Sequence, residues 1–233
     1  MILYVNGDSH TAAAEAVNAH AFAEDDPNLG YLHRLPHPDN LAVSWGRLLS
    51  ETLKAAFHCD AESAASNDRI MRTTQSWIDK HQRDWSRTLM IIQWSTWERE
   101  EWLHEETYYQ VNASGIDDVP LGLQDRYKQF VASVDWQTKT QHWHQQLWQL
   151  HLDLAQRGIR HVFFNGNSDF SAVPNRLEWG ANYLEPYSPE HSFSTMLSKN
   201  YQTVAPNSYH FGQEAHRFFA HFMLQYCIAN KLI

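Results

Sequence analysis

The sequence predicts an α/β protein, a three-layer α/β/α stack on a doubly wound parallel sheet. Three observations predict it. Residues 2–6, 88–94 and 160–165 are short runs that are largely apolar, the pattern of strands covered on both faces. Segments with apolar residues at helical spacing separate them. Two of the runs end in turn chemistry, Gly7-Asp8-Ser9 and Gly166-Asn167-Ser168-Asp169. Strands that alternate with helices imply a parallel sheet between two helical layers.

In chain order, residues 2–6 read as the first strand and the Ala-rich residues 11–23 as a helix. Residues 24–40 are rich in turn formers and read as a loop. Leu41, Val43, Trp45, Leu48, Leu49 and Leu53 fall at helical spacing, and a second strand fits Ala56 to Asp60. Ser66-Asn67-Asp68 is an N-cap signature opening a helix over 68–84. Residues 88–94 are the clearest buried strand, 100–122 read as irregular, and a long helix is expected from 123 to 157, stopped by Arg157-Gly158. After the strand at 160–165, residues 171–206 read as loop with short helical pieces. Residues 212–231 close the chain as a helix. One domain over 1–233 is expected, without repeat or linker.

Composition excludes several classes of function. The net charge is -9, with no basic stripe for nucleic-acid phosphates. No apolar stretch approaches bilayer length, and the N-terminus lacks signal-peptide features, so a cytoplasmic protein is expected. Cys59 and Cys227 read as free thiols. Ten Trp and fifteen His are unusual. Trp136, Trp143 and Trp148 share a stripe with Leu147, Leu150 and Leu154, which reads as core packing. The histidines show no zinc-like spacing, so neither a metal nor a cofactor is expected.

In parallel sheets the ligand site lies beyond the carboxyl ends of the strands. That rule singles out Ser9, the neighbourhood of Ser66, Trp94 to Glu98, and Asn165 to Asp169. His210, in the loop before the last helix, completes the set. A serine at a strand-to-turn junction can present its hydroxyl above the sheet, and a histidine can take its proton near neutral pH. His216, on the helix itself, reads as a structural histidine.

Gly7-Asp8-Ser9 together with His210 and His216 resembles the SGNH, or GDSL-type, hydrolases. The stretch from Val43-Ser44-Trp45 through Ser66 to Thr74, then Ile92 to Arg99, and Ser208-Tyr209-His210-Phe211-Gly212 resemble a branch common in bacteriophages, especially marine ones. The resemblance implies the flavodoxin-like fold of that family, with Ser9 as nucleophile and His210 as base. It also marks departures. The family's aspartate three residues before the histidine is Asn207 here, and Asp169 is a conceivable replacement. The glycine of its second block is matched by Ala64 and Ala65, and the asparagine of its third block by Ser95. Asn67 is a further candidate oxyanion donor.

The expected function is an esterase or deacetylase cleaving a small-molecule or polysaccharide acyl ester through an acyl-enzyme on Ser9. The alternative is a non-catalytic protein on the same scaffold, either a virion component associated with other virion proteins or a carbohydrate-binding module. The phage resemblance implies the host cytoplasm or a virion as its expected location.

Overall fold

The computed structural model describes residues 1–23, 35–113 and 119–233. Strands β1 (Ile2–Asn6), β2 (Ala56–Cys59), β3 (Thr88–Trp94) and β6 (Arg160–Asn165) form one parallel sheet. Their order is β2-β1-β3-β6. The chain leaves β1 in one direction and returns past it to β3, so a topological switch point lies between β1 and β3. Side chains alternate across the sheet. Tyr4, Met90, Ile92 and Phe163 face one layer, while Leu3, Val5, Leu89, Ile91, Val162 and Phe164 face the other.

The first layer is α3 (Asn67–Lys80) and α5 (Trp136–Gln156), contributing Ile70, Trp77, Trp143, Leu147, Leu150 and Leu154. The second is α2 (Trp45–Thr52), α6 (Phe193–Ser198) and α7 (Gln213–Ala229), contributing Trp45, Leu49, Phe193, Phe219 and Met223. Each fully buried ring contributes on the order of 1.5–3 kcal/mol. Local chemistry sets the helix starts. The Ser44 and Ser66 hydroxyls accept from the Arg47 and Arg69 amides, and left-handed Gly158 follows α5 (φ 68°). Cys59 and Cys227 are free thiols, both pushed up to about 12 by burial. Among the described residues no helix is long and apolar enough to cross a membrane.

Four expectations need correction. Residues 11–23 do not form a helix. The chain coils through consecutive turns with Ala13 and Glu15 left-handed (φ 55° and 63°), and Asn40 draws the segment down by accepting from the Val17 and Asn18 amides. Tertiary bonds thus override alanine's helix propensity. Residues 100–122 contain an antiparallel hairpin, β4 (Glu100–His104) and β5 (Thr107–Val111). Its two turn residues, Glu105 and Glu106, are both left-handed, a conformation usually signalled by Asn-Gly.

The helix expected over 123–157 is two helices, because Asp135 caps a new start by accepting from the Gln137 and Thr138 amides. The first, α4 (Gln124–Ser133), packs on the hairpin in a third cluster with Trp102 and Phe130. Trp136, placed in the core stripe by its spacing, is half exposed. The loop expected over 24–40 lies mostly outside the described residues, and its end forms the short helix α1 (Pro38–Ala42).

Candidate functional site

The site is built where β1 and β3 end, at the switch point. Asp8 is buried there as an acceptor for the Gln93 side chain (2.6 Å), the Ser95 hydroxyl (2.8 Å) and the His10 amide (3.0 Å). Arg99 lies 3.6 Å away as counter-charge. Burial opposes ionisation of Asp8, but these charges and donors outweigh it and hold its carboxyl below the usual range. Gln93 can reach Asp8 because Gly7 and Gly166 flank it. A Cβ at Gly7 would sit 2.8 Å from Gln93 Cβ, and one at Gly166 would overlap the Gln93 amide. Both positions are glycine because of close approach rather than backbone freedom.

Ser9 follows on the rim of a cavity of about 290 Å³. Its hydroxyl has no hydrogen-bond partner among the described residues. Across the cavity stands His210, whose Nδ1 lies 2.9 Å from Glu15 Oε2. Ser208 Oγ donates to the same carboxylate oxygen (2.5 Å). Burial raises the Glu15 carboxyl, yet the bonds from Ser208 and His210 bring it below its ordinary value. With Nδ1 engaged, the free Nε2 is the ring's reactive end. Ser9 and His210 line one cavity but are not hydrogen-bonded to each other.

The partner of His210 is therefore Glu15, from the segment that did not become a helix. Asn207 is exposed and makes no hydrogen bond to His210. Asp169 is engaged elsewhere: its carboxylate accepts from the Ser171 amide and its carbonyl from the Trp97 indole. The remaining candidates separate in the same way. Ser95 is fully buried and bonded between Asp8 and Arg99. Asn67 is consumed in tying α3 to the Ser95-Thr96 backbone. The Ala65 amide closes a turn onto the Glu62 carbonyl. Ala64 remains, left-handed (φ 64°) and on the cavity wall. The amides of Ser9 and Ala64 have no acceptor among the described residues.

Asn167, one turn past β6, completes the wall. Its Nδ2 lies 3.2 Å from His10 Nε2, and its Oδ1 accepts from the Ser194 hydroxyl. The Gly166-Asn167 strand end was the available signal for it. Glu15 gave none, being one polar residue in an Ala-rich stretch. His216 is buried beneath the site, accepting from the Trp45 amide (3.4 Å), and burial pushes it down to about 3. A second cavity of about 490 Å³ adjoins the first through Arg99, Asn167 and Tyr209, and Ser194, Thr195, Ser198 and Thr203 line it. Among the described residues no group of three or more His, Cys, Asp or Glu side chains is placed to hold a metal ion.

No curated protein matches the chain. The profile of a family of unknown function, DUF6071, matches residues 23–182. That span carries β2, β3, β6 and the walls at Ala64, Arg99 and Asn167, while Ser9, Glu15 and His210 lie outside it. With more than half of its length matched, the chain belongs to the DUF6071 family.

Proposed function

We propose that the chain is a serine hydrolase of the SGNH type, cleaving an acyl ester through an acyl-enzyme on Ser9. One observation carries this reading: an unbonded serine hydroxyl shares a cavity at the switch point with a histidine held at 2.9 Å by a carboxylate. Ser9 Oγ attacks the acyl carbon while its proton passes to His210 Nε2. Glu15 fixes the ring and stabilises the imidazolium. The Ser9 and Ala64 amides and Asn167 Nδ2 are the donors for the tetrahedral oxyanion. The imidazolium then gives its proton to the leaving alcohol. Water, deprotonated by His210, attacks the acyl carbon, and the imidazolium returns that proton to Ser9 Oγ as the acid leaves.

The absence of a Ser9–His210 hydrogen bond is compatible with this, since such bonds commonly tighten only with substrate. Hydroxyls in the adjoining 490 Å³ cavity would suit a polyhydroxylated alcohol, such as a sugar bearing the acyl group. The same cavity also favours a second reading, a carbohydrate-binding protein without catalysis.

Covalent labelling with a fluorophosphonate, read by intact mass and peptide mapping beside a Ser9→Ala control, separates the two. Labelling confined to Ser9 is expected. A folded protein that stays unlabelled would return the site to the binding reading.

A further inference from the structure

His10 follows the candidate nucleophile and lies outside the scheme above. It is 3% exposed. Its Nδ1 is buried without a hydrogen-bond partner among the described residues, an unfavourable state for a polar group. Its Nε2 lies 3.2 Å from Asn167 Nδ2 and 3.5 Å from Ser194 Oγ. Its ring stands edge-on to His210 at 5.6 Å.

A neutral imidazole has one bare nitrogen and one N–H, and a side-chain amide carries two donor protons on its nitrogen. If Nε2 is bare, it accepts from Asn167 Nδ2, while Ser194 donates to Asn167 Oδ1. The amide can then adopt one orientation only, with its second Nδ2 proton unspent on the wall that Asn167 shares with Ser9. If Nε2 carries the proton, the amide is reversed and its oxygen replaces that donor. The imidazole tautomer thus decides whether the cavity holds a third oxyanion donor or an acceptor that would repel the oxyanion.

We propose that His10 is a positioning residue. Held as the neutral Nδ1–H tautomer, it accepts through Nε2 from Asn167 and fixes that amide as an oxyanion donor. The role rests on the hydrolase reading. The buried, unpartnered Nδ1–H is the cost of holding the opposite nitrogen bare.

The test combines two measurements on the full chain. In ¹⁵N NMR of the wild type, His10 is expected to show an unprotonated Nε2 and a protonated Nδ1. The reverse tautomer overturns the proposal whatever the activity. In parallel, fluorophosphonate labelling and 4-nitrophenyl acetate hydrolysis are compared for wild type, His10→Phe and His10→Gln. His10→Phe fills the space without an acceptor and is expected to lower kcat and the labelling rate about 10–100-fold with KM unchanged. His10→Gln, whose amide oxygen reaches the Nε2 position, is expected to recover much of the loss. If the wild type labels at Ser9 and His10→Phe labels equally fast, the positioning role is wrong. If the wild type does not label, the hydrolase reading and the oxyanion role fail together, and the NMR result alone judges the His10–Asn167 bond. Equal thermal melting of the three proteins excludes misfolding as the cause.

Discussion

At the scale of single residues, the site turns on which carboxylate holds His210. The SGNH resemblance points to position 207, with Asp169 as a second candidate. The structure instead brings Glu15 to 2.9 Å of the ring, although 195 residues separate the two in the chain. Glu15→Gln keeps the size and one acceptor but removes the charge that stabilises an imidazolium. Ser9 labelling and esterase turnover are expected to fall by about 10²–10⁴, by analogy with the triad aspartate. Asp169→Asn and Asn207→Ala are expected to stay within twofold of wild type, since neither side chain bonds to His210. A large loss in either, with Glu15→Gln active, would reassign the partner. The residue scale is also where the sequence is least legible. Ser9 and His210 stand out at a strand end and before a final helix, but the worth of Glu15, Asn167 and Gln93 depends on what folds against them.

At the scale of elements, propensity and tertiary demand can be compared directly. Helix α3 lies close to where its Ser66 cap and apolar spacing place it, and α7 close to where its apolar spacing does. The turns after Ser9 do not, because Asn40, Ser208 and His210 each bond to that segment. The β4–β5 hairpin was hidden for a different reason. Its turn places two glutamates in the left-handed region (φ 46° and 65°), a conformation that costs an ordinary residue about 1–2 kcal/mol. Glu106→Gly relieves that strain and adds backbone freedom to the unfolded chain, leaving an expected net gain of about 0.5–1 kcal/mol. The check is the urea midpoint at unchanged m-value. A loss of stability would mean that the Glu106 side chain makes contacts worth more than the strain.

For the whole molecule, the unusual number of histidines becomes a statement about pH. Burial pushes His10 and His161 down to about 4 and His216 to about 3. His161 illustrates the constraint. Its Nδ1 lies 2.9 Å from the Ile159 carbonyl and its Nε2 2.9 Å from His151 Nδ1, so a second ring proton would require His151 to present a bare Nδ1. In the unfolded chain such rings titrate near 6.5. Between these values the unfolded state binds more protons. Stability is therefore complete above about pH 6.5 and falls as pH drops toward 4. At pH 5 the loss is about 2 kcal/mol for each of the three rings. The urea midpoint is expected to be level above about pH 6.5 and to fall steeply from there to pH 5, above the range where the lowered carboxylates Asp8 and Glu15 begin to protonate. Asp68, raised to about 6 by burial, opposes this trend over the same window, so a flat profile in an Asp68→Asn variant would show that these rings take up protons while folded.

The sequence by itself determined the α/β class, the parallel strands at 2–6, 88–94 and 160–165, the helix start at Ser66, and the strand ends where a site belongs. These are local properties: apolar periodicity and capping chemistry act within a few residues, and the switch-point rule converts them into a location. Only the tertiary structure decided that the Ala-rich segment coils, that Glu15 rather than Asn207 or Asp169 meets His210, that Asn67 and Ser95 support the site from behind, and that Asn167 joins its wall. The physical reason is one of range. Each of those outcomes is a hydrogen bond or close approach between residues far apart in the chain, and its energy enters only once the sheet has brought the strand ends together.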